Sequence, residues 1–226
     1  MAGAHTSRDE AGMAGMKEHK ADTAPPVQAL IFDLGNVLVR YDGAKLRANL
    51  AALAPDGVSA ADVDRFLHES GAAWQAEIGE LDEAGLYEAC RRGLGIAADA
   101  AAFCVAWNDV FAPQPGIEVL LAELAGRLPL IVLSNINPLH AAHLRATLPL
   151  LARCDALLFS CETGAAKPAP EAYRRAVVAA GVPAAACLFV DDLAENVEGA
   201  RRCGLQALQF TTVPDLRAAL RWLRAL

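Results

Sequence analysis

The segment VQALIFDLGNV, from Val27 to Val37, decides the fold of this chain. Its first six residues are mostly apolar, include β-branched and aromatic side chains, and stop at Asp33. A short apolar run of this kind predicts a buried β-strand that ends at the charged residue. Four more such runs follow along the chain, at 130–133, 156–159, 187–190 and 206–210.

Segments with a helical period lie between the later strands. They cover 171–180 and 195–203, and Gly204 follows the second, at a position where glycine commonly ends a helix. A last helix is predicted over 216–226, with Asp215 as its N-cap. Strands that alternate with helices predict an α/β fold, here a Rossmann-like, mainly parallel sheet with helices on both faces.

One long stretch breaks this alternation. From residue 44 to residue 114 the sequence shows helical patterns and turn residues but no convincing strand. Because about seventy residues are far too many for a loop, we expect an inserted helical subdomain, a cap, at 44–114. The α/β core then consists of 27–43 and 115–226, and residues 1–26 are predicted to form a flexible tail.

Composition limits the classes of partner. The 226 residues carry 20 Lys and Arg against 27 Asp and Glu, a formal net charge of -7. This balance argues against binding to nucleic acid or to an anionic membrane, and no apolar run is long enough to span a bilayer. The six cysteines form no CxxC pair, which is typical of free thiols in a reducing compartment. We expect a cytoplasmic monomer or homodimer that acts on a small molecule.

Polar side chains follow the predicted strands at the points where the strands end. They comprise three carboxylates, a hydroxyl and an ammonium group, on Asp33, Ser134, Lys167, Asp191 and Asp192. Ligands of open α/β sheets bind beyond the carboxyl ends of the strands, so these groups are expected to converge. Taken singly, each has a structural alternative as a turn residue, a helix cap or a solvated lysine. Three converging carboxylates repel one another unless a cation lies among them, and Mg²⁺ favours such oxygen ligands. The combination predicts a site for phosphoryl transfer.

Four segments together resemble a known family. IFDLGNVL at 31–38, LSN at 133–135, Lys167-Pro168 and FVDD at 189–192 are similar, in this order, to the four motifs of the haloacid dehalogenase superfamily. The resemblance extends over about 29–210, and the predicted cap at 44–114 matches a branch with a helical insertion between the first two motifs. Within that branch the wording resembles bacterial α-D-glucose-1-phosphate phosphatases, and also the phosphatase domain of epoxide-hydrolase-like proteins.

The resemblance implies a role for each motif residue. Asp33 is expected to be the nucleophile and a metal ligand, with the Gly35 carbonyl and Asp192 as further Mg²⁺ ligands and Asp191 close by. Ser134 and Asn135 are expected to hold the phosphate, and Lys167 to bridge phosphate and nucleophile. Asn196 is expected to order the loop of the fourth motif.

One departure from the family pattern concerns Gly35. Most phosphatases of this superfamily have a second Asp at this position, which acts as general acid and base. Three explanations stay open: a leaving group as acidic as an anomeric hydroxyl, a substitute such as Asp42, His140 or a cap residue, or a protein that is slow or only binds phosphate. Because the glucose-1-phosphatase-like branch shares the glycine, we favour an active enzyme.

These observations lead to one functional hypothesis and two alternatives. The hypothesis is Mg²⁺-dependent hydrolysis of a small phosphomonoester, with a hexose 1-phosphate favoured, through an aspartyl-phosphate on Asp33. Trp74 and Glu77 in the cap are expected to contact the sugar, although they also fit a structural and a solvated role. The alternatives are a carbon–halogen hydrolase that uses Asp33 as nucleophile, and a catalytically weak phosphate-binding or regulatory protein.

Overall fold

A computed structural model describes residues 25–226 of the chain. The predicted flexible tail at 1–26 therefore lies, apart from its last two residues, outside the described residues. Among the described residues, no helix is both long and apolar enough to cross a membrane.

A five-stranded parallel sheet forms the centre of the fold, and all of its strands coincide with the predicted apolar runs. Its members are β1 (Ala29–Phe32), β4 (Leu130–Ser134), β5 (Ala156–Phe159), β6 (Cys187–Asp191) and β7 (Gln206–Gln209). The strand order is β5-β4-β1-β6-β7, so β1 lies in the middle and the chain changes direction beside it. This doubly wound order confirms the predicted α/β fold, and it opens a crevice at the carboxyl end of β1.

Two further strands were not predicted. β2 (Val39–Tyr41) pairs with β3 (Phe111–Pro113) in an antiparallel ribbon, so the expectation that 44–114 contains no strand is wrong. Each of these strands has three residues and one contains a proline, so neither shows the alternation by which strands are recognised. The ribbon joins the two ends of the helical segment.

The helices fall into two groups along the chain. Those between β2 and β3 are α1 (Gly43–Leu53), α2 (Ala60–Glu69), α3 (Ala72–Glu77), α4 (Glu83–Leu94) and α5 (Ala100–Asn108). Those that follow are α6 (Ile117–Leu124), α7 (Pro138–Thr147), α8 (Ser160–Thr163), α9 (Pro170–Ala180), α10 (Ala194–Arg202) and α11 (Val213–Trp222). The last helix begins earlier than predicted: Thr212 is its N-cap, and Asp215 lies in its first turn and accepts hydrogen bonds from the hydroxyls of Thr211 and Thr212.

Successive residues of the strands point to opposite faces of the sheet and form two separate cores. Leu30 and Phe32 pack with α6, α7 and α11 on one face. Ala29 and Ile31 pack with α9 and α10 on the other. Both faces are covered, so the strand ends are where polar groups reach solvent.

The helices α1–α5 share a hydrophobic cluster around Phe103 and Trp107, to which α7 adds Leu139. Short polar side chains begin four of the five helices: Asp42, Ser59, Asp82 and Asp99 each accept a hydrogen bond from a backbone N–H of the first turn. This group of helices therefore has both the caps and the core of a separately packed layer.

We call the helices α1–α5 the helical layer, and the five-stranded sheet with α6–α11 the core layer. The segment after α3 contacts the core layer directly. Gly79 has a φ of 78°, and a Cβ placed there would lie 2.3 Å from the carbonyl oxygen of Cys161 in α8. Gly71, at the start of α3, has a similar φ of 70° but nothing within 4 Å of such a Cβ. Of these two glycines, only Gly79 permits, by its lack of a side chain, a backbone contact between the two layers.

This contact gives a stability prediction. Both Gly79→Ala and Gly71→Ala place a Cβ at positive φ, which costs about 1–2 kcal/mol. We expect Gly79→Ala to lower the free energy of unfolding by roughly a further 1–3 kcal/mol, because the added methyl group must push the Cys161 carbonyl away. Urea denaturation followed by circular dichroism measures both values. Equal losses in the two variants would show that the contact contributes nothing.

Candidate active site

Three polar residues meet at the carboxyl end of β1. Asp33 follows β1, Ser134 ends β4, and Asp191 ends β6. β4 and β6 are the two neighbours of β1, and Phe32 lies opposite Val132 on one side and Val190 on the other. The pairing register therefore places these side chains at one edge of the sheet, as the strand-end argument predicted.

Lys167 connects two of the carboxylates. Its Nζ donates hydrogen bonds to Asp33 Oδ1 at 2.6 Å and to Asp191 Oδ2 at 2.7 Å. The side chains of Lys167, Asp33 and Asp191 are buried, with 2%, 11% and 0% of their surfaces exposed. A buried ion pair is stable only when its geometry is good and its other polar atoms are satisfied, and this lysine bridges both carboxylates.

Burial and the neighbouring charges shift the pKa values of Asp33 and Lys167 in opposing directions. Burial raises the pKa of Asp33 to about 6, against the lowering effect of Lys167. Burial disfavours the charge on Lys167 as well, but Asp33 and Asp191 outweigh it and raise the pKa of the lysine. Lys167 therefore stays protonated at neutral pH and keeps a positive charge beside the predicted nucleophile.

Asp191 is held by several donors at once. Besides Lys167, the Asn196 amide donates to both carboxylate oxygens at 3.1 Å, and the backbone N–H of Leu193 donates at 2.8 Å. Asn196 is itself buried, at the start of α10. The fixed position of Asp191 in turn fixes Lys167.

Asn135 links the loops after β4 and β5. Its amide donates to the Lys167 carbonyl, and its carbonyl oxygen accepts from the Lys167 N–H, both at 2.8 Å. The side chain thus holds the backbone of the lysine in place. The predicted phosphate contacts of Asn135 and of the buried Ser134 stay predictions.

Asn36 is a site residue that the sequence reasoning missed. It has a φ of 57°, its amide donates to Asp192 Oδ2 at 3.1 Å, and its side-chain oxygen accepts from the Tyr41 N–H. Asn36 therefore ties the loop after β1 to the loop after β6 and to the ribbon. An asparagine directly after a glycine in a strand-end loop was the available signal, since asparagine tolerates positive φ better than most residues.

Three carboxylates form the group that suits a metal ion. Oxygens of Asp33, Asp191 and Asp192 lie within 4.8 Å of one another. Lys167 supplies one positive charge among them, which leaves a surplus of negative charge at a largely buried place. Hard oxygen donors and uncompensated negative charge are what Mg²⁺ requires, so the residues present fit this ion.

A cavity of about 560 Å³ lies above these residues. Asp33, Gly35, Ser134 and Lys167 line it from the core layer. The helical layer contributes Arg47 from α1, Asp64 and His68 from α2, and Trp74 and Glu77 from α3. The structure thus brings both predicted cap residues, Trp74 and Glu77, to the same cavity as Asp33.

Asp42 and His140, which we considered as acid–base groups in place of an aspartate at position 35, both have other interactions in the structure. Asp42 caps α1 and lines a different cavity, beside Asp192. His140 is buried, and its ring nitrogens pair with the Trp107 carbonyl at 3.1 Å and the Asn137 amide at 3.0 Å. Burial lowers the pKa of His140 to about 4, so it is neutral near pH 7 and joins α5 to α7.

Comparison with known proteins places this arrangement among relatives. A family model described as haloacid dehalogenase-like hydrolase matches residues 27–204. The D-ribitol-5-phosphate phosphatase of Bacteroides thetaiotaomicron is 28% identical over 206 residues, which cover 86% of this chain and 97% of the relative. A phosphatase of Mycobacterium tuberculosis is 51% identical over 53 residues, only 24% of each chain.

Solved structures show the same fold. A HAD family enzyme of Bacteroides thetaiotaomicron superposes with a TM-score of 0.79 at 22% identity, over 87% of this chain and all of that one. A complex of that enzyme with magnesium and inorganic phosphate superposes with a TM-score of 0.75 at 22% identity, over 83% of this chain and 96% of that one.

The lysine bridge gives a second stability prediction. In metal-free buffer, Lys167→Met leaves two buried carboxylates without their shared cation and is expected to cost about 3–5 kcal/mol. Lys45→Met, which removes the exposed ion pair with Asp109, should cost under about 1 kcal/mol.

The loss in Lys167→Met should also depend on pH. Because the folded-state pKa of Asp33 lies above its ordinary value of 3.8, protonation of Asp33 favours the folded state. The Lys167→Met deficit should therefore be smaller below about pH 6 than above it. Chemical denaturation across this pH range tests both statements, and a deficit independent of pH would contradict the assignment.

Proposed function

The chain belongs to the haloacid dehalogenase-like hydrolase family, and on this basis we propose that it is a Mg²⁺-dependent phosphatase of small phosphomonoesters. The observation that carries the proposal is the buried Lys167 between Asp33 and Asp191, beside a third carboxylate and at the floor of a cavity. A phosphoryl group placed there meets a nucleophile and a fixed positive charge together.

The reaction proceeds in two displacements. An Asp33 carboxylate oxygen attacks phosphorus and the ester oxygen leaves, which forms an aspartyl-phosphate. Water then attacks that phosphorus, and the Asp33 carboxylate and inorganic phosphate are released. The ammonium of Lys167 and the hydroxyl of Ser134 neutralise the phosphoryl oxygens, and positioning and electrostatics supply most of the catalysis.

Mg²⁺ fits this scheme as the ion among the carboxylates. Asp33, Asp192 and the Gly35 carbonyl are the residues proposed to hold it, and bound Mg²⁺ reduces the repulsion between an anionic nucleophile and an anionic phosphate. Asp191 already accepts hydrogen bonds from three neighbours, which favours a supporting position for it beside the ion.

The proposed substrate is the phosphate ester of a sugar or a sugar alcohol. The cavity is lined by the exposed Trp74 and by Asp64 and Glu77, a combination suited to a polyhydroxylated molecule. The amino-acid sequences of the motifs favour a hexose 1-phosphate, whereas a relative that aligns over most of the chain is named for D-ribitol 5-phosphate. Helices α1–α5 are proposed to act as a cap that selects the substrate and excludes water.

The carbon–halogen hydrolase alternative uses the same Asp33 but has no need of a metal ion. That reaction does not use the group of three carboxylates that suits a metal ion, so the acidic group favours the phosphatase. A protein that only binds phosphate would keep the site but show no turnover.

Phosphate release tests the nucleophile. Wild-type protein is expected to hydrolyse members of a panel of sugar and sugar alcohol phosphates in the presence of Mg²⁺, and to lose this activity in EDTA. Asp33→Asn should release no phosphate while its circular dichroism spectrum stays unchanged, because an amide is a poor nucleophile. Asp56→Asn, at an exposed position, serves as the control. Phosphate release that persists in EDTA would contradict the Mg²⁺ dependence, and Asp33→Asn activity near wild type would exclude the mechanism.

Asp192 provides a test of the metal ligands. Asp192→Asn retains an oxygen that accepts the hydrogen bond from Asn36 but loses the negative charge. We expect the Mg²⁺ concentration for half-maximal activity to rise at least about tenfold, with little change in kcat at saturating Mg²⁺. A Mg²⁺ titration of the initial rate measures it. An unchanged titration would remove Asp192 from the proposed ligands.

A further inference from the structure

Glu77 is the last residue of α3 and lines the cavity that also contains Asp33. The side chain is partly buried, and no described residue forms an ion pair or hydrogen bond that shifts its pKa. A carboxyl that loses solvent without gaining a partner lowers stability, so its position calls for a ligand or a reaction to explain it.

We propose that Glu77 donates the proton to the leaving oxygen of the substrate, in place of the carboxyl that Gly35 lacks. This inference rests on the proposed phosphatase function and assigns it a second reacting side chain. It moves the acid–base group from the core layer to the helical layer, on the side of the cavity where the leaving group lies.

The other titratable groups that face this cavity are engaged or unsuited. Asp64 pairs with Arg47 at 3.4 Å, and His68 contacts the Asp64 carbonyl at 2.8 Å. Burial raises the pKa of the Tyr41 phenol, and the negative charge of Glu77 adds to this shift. His140 is neutral and doubly paired. Glu77 is the carboxylic acid that is left for proton transfer among the described groups lining the helical side.

The environment of Glu77 favours its protonated form. Burial raises the pKa of the carboxyl above its ordinary value of 4.5. A higher pKa lets the group hold a proton closer to neutral pH, which is what a general acid requires. This shift adds to the geometric argument and does not replace it.

The contact after α3 explains how Glu77 is positioned. Gly79, two residues further along the chain, lies against the Cys161 carbonyl, so this end of α3 is anchored to the core layer. The anchor fixes this end of α3, where Glu77 lines the same cavity as Asp33 and Lys167, whereas Glu80 beyond it is exposed and does not line the cavity.

Glu77 begins and ends the proposed reaction in its protonated form. When Asp33 attacks phosphorus, the P–O ester bond breaks, and its electron pair goes to the leaving oxygen, which takes the proton of Glu77. The resulting Glu77 carboxylate then accepts a proton from the water that attacks the aspartyl-phosphate. Asp33 leaves as a carboxylate, Glu77 is again protonated, and the net reaction is ester plus water to alcohol plus phosphate.

Aryl phosphates distinguish proton donation from contacts to sugar hydroxyls, since they carry no hydroxyl groups. Phenyl phosphate has a basic leaving group that needs a proton, whereas 4-nitrophenyl phosphate has an acidic one that does not. We expect Glu77→Gln to lower kcat/KM for phenyl phosphate about 100-fold, and for 4-nitrophenyl phosphate by less than about threefold. Glu80→Gln, the matched control, should change neither value.

A second variant separates chemistry from structure. A Cβ at Gly35 meets nothing within 4 Å, so the first side-chain carbon of an aspartate has room there. Gly35→Asp in the Glu77→Gln background is expected to recover at least about tenfold of the lost kcat/KM for phenyl phosphate, because it supplies a carboxyl from the core side.

Three results would overturn the inference. They are an equal loss for both aryl phosphates, no loss for either in Glu77→Gln, and a Gly35→Asp double variant with no recovery. Failure of the phosphatase proposal looks different: wild-type protein would then release no phosphate from any ester with Mg²⁺ present. Activity that depends on Asp33 but is indifferent to Glu77 would leave the phosphatase standing and remove the proton donor.

Discussion

The ammonium group of Lys167, shared by two buried carboxylates, is the interaction on which the rest of the site depends. Asp33 and Asp191 lie at the ends of adjacent strands, so their negative charges repel each other unless a cation lies between them. Asn135 and Asn196 each hold one side of this bridge, by fixing the lysine backbone and the Asp191 carboxylate. One buried charge therefore links the ends of β1 and β6 to the loop that carries Lys167.

Much of the core was predictable because it repeats simple signals. Buried parallel strands are short apolar runs, and the polar residue after each run marks the edge where a ligand binds. The five sheet strands and the positions of Asp33, Ser134 and Asp191 at their ends were predicted this way and are confirmed. The resemblance of four motifs to the haloacid dehalogenase superfamily is confirmed separately, by the family model. A buried strand and the polar residue at its end are contiguous in the sequence, so a short segment is enough to predict both.

Other features depend on contacts between distant residues and leave no local pattern. The β2–β3 ribbon has strands of three residues, too short to show a period. Asp215 and Thr212 are both good helix caps, and only the backbone conformation decides that Thr212 begins α11. The side chain of Asn36 ties the loop after β1 to the loop after β6 and to the β2–β3 ribbon, which its own sequence context does not specify.

The same bridge that orders the core also limits what the core can do. Lys167 keeps its proton because Asp33 and Asp191 raise its pKa, and Asp191 has no oxygen free of hydrogen bonds. In the proposed mechanism the strand ends supply a nucleophile and a positive charge. With glycine at position 35, no described side chain at the strand ends is suited to give a proton to a leaving group. The proposed proton donor, Glu77, lies instead in the helical layer, on the same cavity as Trp74 and the other side chains proposed to select the substrate. A change in the helical insertion can then alter both the preferred leaving group and the preferred substrate while the phosphoryl site stays the same.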